Sequence, residues 1–328
     1  MVTYLLTRST RAILLDNMLS TSWDSSCQMA PPRKTKPLVS SRDLESARSR
    51  LLALERDEGS TEVEARDKEQ REIVIVDNVT VHNYLKFVDS EPKLSAKIGL
   101  MNGKVVVYDI PLLPHGQVVA EIIGGFSTWG GLNFRTAAEV DLIVGANSVC
   151  CADLTIRPRQ RQRPPPALAS DSLGSAYPTM VVEIANIQSI GCLHALAESY
   201  LSPRTTIQVY LGIKLYRPRE NGTMAMLILM YQRSRPTPTI PTIAMSFGTV
   251  PIHNRTVSFL HQLGVPDALI IGVGRHGVPA CDGLGILVYQ LNIPAVQLYN
   301  GVSGGVLATA VNGYDLDLWR IQQAALDS

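Results

Sequence analysis

Two carboxylates on predicted strands, Asp153 and Glu183, are the residues of this sequence best suited to chemistry. Glu183 interrupts an apolar and β-branched run, Thr179 to Ile184, that is typical of a strand buried on both faces. A buried carboxylate is costly unless it is paired. We therefore expect Glu183 at a strand end beside a cation, a base, a metal or water, with an exposed sheet edge as the alternative.

Asp153 belongs to a predicted strand, Val149 to Ile156, whose predicted neighbour Glu139 to Val144 carries Asp141. Carboxylates at the ends of adjacent strands can converge on a hard cation such as magnesium, at about 2.0–2.6 Å. A bound metal could activate water and neutralise charge on a phosphodiester oxygen. Asp153 is the preferred ligand, and Asp141 is either a supporting ligand or, more in keeping with its position, a surface turn residue.

The segment around Glu183 predicts the elements that position it. A helix over Ile190 to Leu201 has apolar residues at a spacing of three and four, and Ser202 and Pro203 end it. The β-rich run Thr205 to Tyr216 follows directly. Two strands flanking one helix form the unit that makes a parallel pair in an α/β sheet.

Four stretches carry a family resemblance: GANSVCCADLTIRPR, YPTMVVEIANIQSI, ESYLS and TTIQVYLGIKLY. Together they resemble the restriction endonuclease domain family of the PD-(D/E)XK nuclease superfamily, in its fungal-type members with a C-terminal extension. The resemblance spans roughly Thr80 to Gln232. It implies an α/β restriction-endonuclease-like fold with a mixed central sheet flanked by helices. It also implies Mg²⁺ or Mn²⁺ held by Asp153 and Glu183, a lysine assisting the attacking water, and DNA as substrate.

The sequence departs from that family at the lysine. Ala152 replaces the usual proline of the signature, and Ala185 stands where a Glu-X-Lys pattern would place its lysine. In the branch of the family that this sequence resembles, the lysine can instead come from the following helix, one turn before Tyr200. Leu196 and Ala197 stand there, so this position has no lysine either. Lys214, on the following strand, is the nearest lysine and is taken as the third catalytic residue. The departure supports an alternative, a catalytically degenerate nuclease-fold module that binds nucleic acid or protein.

Further candidates flank the acidic pair. His115 opens a helix predicted from Pro114, which frays at Gly124 and Gly125, and it either lines the cleft or is an incidental surface histidine. The stretch RPRQRQRPPP follows Asp153 and contains Arg157, Arg159 and Arg161. These arginines either track a phosphate backbone or keep a disordered, proline-rich loop solvated.

The rest of the chain divides into four regions. Residues 1–72 are predicted as a disordered and charged helical arm that includes a solvated helix over Ser41 to Asp57. Residues 73–232 form the nuclease-like domain, in which Asn102 and Gly103 turn a β-hairpin between Ile98–Met101 and Lys104–Tyr108. Residues 233–242 are a proline-rich linker, and residues 243–328 are a C-terminal extension that ends in a helix.

The whole composition sets broad limits. The 328 residues are 45% hydrophobic and carry a formal charge of +1, which argues against strong nonspecific binding to polyanions. Five cysteines without a CxxC pair indicate no disulfide framework, and the sequence contains no membrane-length apolar run. We expect an intracellular protein, in the cytoplasm or nucleus, with an N-terminal transit peptide as the weaker alternative. A homodimer would follow from the resemblance, because cutting both strands of DNA needs two sites.

Overall fold

The structure is a computed structural model that describes residues 38–56, 72–90 and 96–327. The predicted N-terminal tail and the charged stretch 57–71 lie outside the described residues. Within the described ranges the helices are α1 (Ser41–Arg56), α2 (Val81–Ser90), α3 (Leu113–Gly130), α4 (Ile190–Tyr200), α5 (Asn254–Gln262), α6 (Ala295–Leu298) and α7 (Leu318–Leu326). The strands are β1 (Ile73–Val76), β2 (Lys97–Met101), β3 (Lys104–Asp109), β4 (Phe134–Gly145), β5 (Ser148–Pro158), β6 (Met180–Ala185), β7 (Val209–Leu215), β8 (Met226–Gln232), β9 (Ile243–Ser246), β10 (Ile270–Gly272), β11 (Gln290–Ile293) and β12 (Tyr314–Asp317).

Ten of these strands form one mixed sheet in the order β1, β3, β2, β5, β6, β7, β8, β9, β10, with β4 paired to β5. The pairs β6–β7 and β9–β10 are parallel, and the other pairs are antiparallel. Strands β11 and β12 form a separate antiparallel pair. The predicted fold class, α/β with a mixed central sheet flanked by helices, is confirmed.

Side-chain alternation divides the core of the sheet between its two faces. On β6, β7 and β8, one set of residues packs with α3, α7 and the β11–β12 pair, and it includes Ile184, Ile213 and Ile228. The alternate set packs with α4 and α5, and it includes Val181 and Leu229. Both sets are almost fully buried. Strands covered on both faces explain why their sequences are continuous apolar runs.

Two local predictions are confirmed. Strands β2 and β3 pair antiparallel up to Met101 and Lys104, and the turn residues Asn102 and Gly103 have φ of 50° and 80°. Asparagine and glycine tolerate this left-handed backbone, which the tight hairpin turn requires. Strands β6 and β7 form the parallel pair expected on either side of α4. Ser189 caps α4, because its side chain accepts a hydrogen bond from the backbone N–H of Cys192.

Two other predictions are corrected. Helix α3 does not fray at Gly124 and Gly125 but continues to Gly130. A Cβ atom added at Gly125 would overlap the hydroxyl of Tyr314, so this glycine lets β12 pack closely against the helix instead of ending it. The charged helix α1 is not solvated on all sides, because Ala47 and Leu51 are buried in a third cluster that includes residues of β1 and β3.

The predicted C-terminal region, residues 243–328, contributes strands to the same sheet as residues 73–232. Strand β9 pairs with β8, and β10 extends the sheet by one more strand. Helix α7 packs on α3. The segment 233–242 contains no helix or strand, although Thr242 donates its backbone N–H to Met230 O. The region boundaries stay predictions.

Within the described residues Cys150, Cys151, Cys192 and Cys281 form no disulfide, and all four are buried. None of the helices in the described part of the chain is long and apolar enough to cross a membrane.

Gly272 lies at a close approach of two strands and provides a test of the C-terminal strand pairing. It has a φ of +107°, and an added Cβ would overlap the backbone carbonyl of Ser246 on β9. Gly277 has a φ of +68° with nothing near an added Cβ. We expect Gly272→Ala to lower the free energy of unfolding by about 1–3 kcal/mol more than Gly277→Ala does, as measured by urea unfolding. Equal losses would mean that β9 and β10 do not pair as described.

Candidate active site

The candidate site lies where strand β5 passes from one neighbour to another. Strand β4 pairs along one edge of β5. The opposite edge pairs with β2 at Val149 and with β6 from Leu154 onward. Asp153 lies in the gap between these two partners, and the register of β5 with β6 brings it beside Glu183. The first residue of β2, Lys97, faces the same gap.

One ammonium group joins the two carboxylates. Lys97 Nζ lies 2.6 Å from Asp153 Oδ1 and 2.5 Å from Glu183 Oε2. The exposed fractions are 7% for Lys97, 3% for Asp153 and 0% for Glu183, so the three charges are almost fully removed from solvent. Buried ions of this kind are tolerated when they are paired and their remaining hydrogen-bonding atoms have partners.

The remaining carboxylate oxygens also have donors. Asp153 Oδ1 is 3.0 Å from His115 Nε2, and Asp153 Oδ2 accepts the backbone N–H of Ile184 at 2.7 Å. Glu183 Oε1 accepts the hydroxyl of Tyr200 at 2.5 Å. All four carboxylate oxygens are therefore hydrogen bonded or ion paired. The donors come from α3, β6 and α4, so the site connects elements on both faces of the sheet.

The two acids differ in their proton affinity. Burial alone would raise the pKa of Asp153, but the positive charge of Lys97 and the contact with His115 outweigh burial and hold this pKa well below its usual range. Burial raises the pKa of Glu183 to about 8; Lys97 opposes this increase and the neighbouring Asp153 adds to it. Asp153 has three donors and Glu183 has two. Asp153 is thus the ionised member, and Glu183 can hold a proton near neutral pH.

The two basic partners remain protonated more readily than in water. Burial alone would lower the pKa of Lys97, but the carboxylates of Asp153 and Glu183 outweigh burial and raise it above its ordinary value. Burial alone would also lower the pKa of His115, but the negative charge of Asp153 and its hydrogen bond with the His115 ring outweigh burial and raise this pKa. Lys97 therefore carries a full positive charge in the site. Nδ1 of His115 is buried and has no hydrogen-bond partner among the described residues.

A divalent metal fits this arrangement only in place of the ammonium. Asp153 Oδ1 and Glu183 Oε2 face one point, at distances from Lys97 Nζ that are close to those of hard cations, about 2.0–2.6 Å. Among residues 38–56, 72–90 and 96–327, no group of three or more His, Cys, Asp or Glu side chains could hold a metal ion. The pair would thus supply two ligands, and Lys97 would have to move away.

Lys97 was missed by the sequence analysis, which selected Lys214 instead. Lys214 is also buried, and its Nζ donates to the backbone carbonyl of Asn186 at 2.5 Å. No local pattern distinguishes Lys97, because Lys104 opens the partner strand of the same hairpin and is exposed. Its partner Glu183 lies 86 residues away along the chain.

A second buried acid, Asp109 at the end of β3, was also missed. Its carboxylate accepts the backbone N–H groups of Asn186 at 3.3 Å and Ile187 at 3.0 Å. These bonds hold the segment that follows β6, and Lys214 holds the same segment through the carbonyl of Asn186. Asp109 and Lys214 therefore support the strand end that carries Glu183.

Arg157 at the end of β5 and the two arginines that follow this strand, Arg159 and Arg161, bond to the protein itself. Arg157 donates to Ala176 O at 3.3 Å, and Arg159 donates to Phe134 O at 3.2 Å. Arg161 donates to the hydroxyl of Thr206 at 2.8 Å. Each guanidinium thus has a structural partner, and a nucleic-acid contact by these residues stays a prediction. Asp141 pairs on β4 opposite Cys151 of β5.

Comparisons with known proteins show a structural likeness. No protein-family model and no curated protein matches the chain. Among solved structures, the chain is similar to the crystal structure of a candidate nuclease belonging to DUF820 from Anabaena variabilis ATCC 29413. The two share 15% sequence identity with a TM-score of 0.36, over 56% of this chain and 97% of the other. Function must therefore be argued from the side chains of the site.

Proposed function

We propose that this chain hydrolyses phosphodiester bonds of DNA with a divalent metal, Mg²⁺ or Mn²⁺. The observation that carries the proposal is the convergence of Lys97, Asp153 and Glu183 from three strands onto one point. Two acids and a lysine are the groups that such hydrolysis needs. Lys97 also supplies the lysine whose absence from the expected positions had favoured a degenerate module.

The residues of the site take distinct roles in this proposal. Asp153 and Glu183 would hold the cation, which when bound activates water and neutralises developing negative charge. Lys97 takes the lysine role instead of Lys214, because its ammonium contacts both carboxylates. His115 orients Asp153 through Nε2, and Tyr200 orients Glu183 through its hydroxyl. These two are positioning residues.

A second candidate function rests on the burial of the same site and on its complete set of internal hydrogen bonds and ion pairs. The three charged groups are at most 7% exposed, and every carboxylate oxygen already has a donor within the protein. A site that is complete without a metal would suit a catalytically inactive nuclease-fold module that binds nucleic acid or protein. In that case the ion pairs have only a structural role.

Plasmid cleavage separates the two functions. Purified protein is incubated with supercoiled plasmid and Mg²⁺ or Mn²⁺, with and without a chelator. We expect metal-dependent nicking by the wild-type protein and none by Glu183→Gln, because a neutral amide oxygen binds Mg²⁺ or Mn²⁺ more weakly than a carboxylate does. Linear product, which needs cuts in both strands, would support a homodimer.

Glu198→Gln is the matched control for that assay. Glu198 lies on α4 with its side chain 55% exposed, so this substitution should leave cleavage unchanged. If the folded wild-type protein does not cut with either metal, or if Glu183→Gln cuts equally well, the nuclease proposal fails. The inactive module would then be the better account.

A further inference from the structure

The Lys97 ammonium lies between Asp153 and Glu183, where a divalent metal bound to both acids would have to lie. We propose that the Lys97 ammonium is an internal cation that competes with divalent metals for Asp153 and Glu183, so that the free protein keeps its acidic pair closed against metal. The inference rests on the proposed function, because it states how metal access to that same site is regulated.

The carboxylates are held in place without help from Lys97. The backbone N–H of Ile184 and the ring of His115 fix Asp153. The hydroxyl of Tyr200, itself fully buried, fixes Glu183. An uncharged side chain at position 97 would therefore leave two acids that still face one point. Such a preorganised pair attracts a cation, because Asp153 stays ionised and an oxygen of each acid still faces one point.

Lys97 is an effective competitor because it is tethered. A group attached to the chain acts at an effective concentration that is commonly millimolar, without any need for a free ligand. A free metal ion must displace this ammonium to reach Asp153 and Glu183. The ammonium has a further favourable contact in the closed site, since Lys97 Nζ lies 5.2 Å from the ring centroid of Tyr108, within the range of a cation–π interaction.

The competition links metal binding to substrate binding. A phosphodiester is an anion, so its arrival offers the Lys97 ammonium a partner other than the two carboxylates. Metal and DNA should then each strengthen the binding of the other, because coupling between two ligands is reciprocal. The free protein would bind metal weakly, and the DNA-bound protein would bind it more tightly.

Mn²⁺ binding to the full chain tests the inference without measuring activity. Titration calorimetry is performed on the wild-type protein, Lys97→Met and Lys104→Met. Lys104 opens β3 of the same hairpin but is exposed, so it is a matched control. We expect Lys97→Met to bind one Mn²⁺ at least about tenfold more tightly than the other two proteins, because the tethered competitor is gone. The double variant Lys97→Met/Glu183→Gln should lose this gain.

Two further measurements keep the test decisive. Lys97→Gln replaces Lys97→Met if the latter does not fold, since its amide still donates to a carboxylate but carries no charge. A rise in melting temperature with Mn²⁺ should then occur in the Lys97 variant and not in the wild-type protein. Equal affinities of wild type and Lys97 variants would overturn the inference, and so would tight Mn²⁺ binding by the wild-type protein alone.

The inference and the proposed function can fail separately. A gain of Mn²⁺ affinity in the Lys97 variants without any plasmid cleavage by the wild-type protein would support the competition and reject the nuclease. Metal-dependent cleavage with equal Mn²⁺ affinities in wild-type and variant proteins would support the nuclease and reject the competition.

Discussion

Replacing Lys97 with methionine is expected to lower the free energy of unfolding by about 3–5 kcal/mol in metal-free buffer, the range for removing one partner from a buried ion pair. The methionine fills a similar volume, so the loss is electrostatic and not a cavity effect. It leaves Asp153 and Glu183, at 3% and 0% exposure, facing each other without the ammonium between them. Urea unfolding monitored by circular dichroism gives the difference directly.

The protonation of Glu183 modulates this loss. A proton on Glu183 removes one of the two facing charges, so the cost should lie near the lower end of the range below pH 7. Above pH 8 Glu183 ionises beside Lys97 in the wild-type protein but holds its proton more tightly once that ammonium is gone, so the cost of the substitution should rise. The double variant Lys97→Met/Glu183→Gln makes that neutralisation permanent, and it should be more stable than Lys97→Met alone.

Lys104→Met serves as the control for the stability measurement. Both lysines open strands of one hairpin, but Lys104 is exposed and its substitution should change stability by less than about 0.5 kcal/mol. A loss below about 1 kcal/mol for Lys97→Met would show that Lys97 does not hold the two acids together as described.

The elements around the site could be predicted because their signals are local. The Asn102–Gly103 turn fixes the register of β2 with β3, and the strand–helix–strand pattern fixes β6, α4 and β7. Turn chemistry and apolar periodicity act over a few residues, which is the range that a single sequence reveals. The same range explains the error at Gly125, where the reason for a glycine is Tyr314, far along the chain.

The site itself was only partly predictable for the same reason. Glu183 could be identified as a site residue from the sequence, because a carboxylate within an apolar strand requires a partner. The identity of that partner depends on the gap along one edge of β5, between the part that pairs with β2 and the part that pairs with β6. This gap is a property of the whole sheet and cannot be read from any one segment of the sequence. Lys97 and Lys214 are both buried lysines at strand ends, and only the sheet order shows which one contacts the acids.

The pH dependence of stability offers a second large effect, centred on Glu183. Burial raises the pKa of this residue to about 8 in the folded protein, whereas an unperturbed glutamate has a pKa of about 4.3. Between these values the folded state binds more protons than the unfolded state, so stability decreases as pH rises. We expect a decrease of about 3–4 kcal/mol between pH 5 and pH 8, measured by urea unfolding with a chelator present.

Glu183→Gln identifies the residue responsible for that decrease. Glutamine does not titrate, so the variant should show a much flatter profile over the same interval. His115 contributes in the same direction, because its raised pKa in the folded state also gives stability that is lost as pH increases. The dependence that remains in Glu183→Gln combines His115 with Glu72, whose pKa burial also raises, and His194, whose pKa burial lowers. If the wild-type and variant profiles coincide, Glu183 is ionised throughout this interval. Both acids would then be charged at neutral pH, and only Lys97 would have to move away for a divalent cation to bind them.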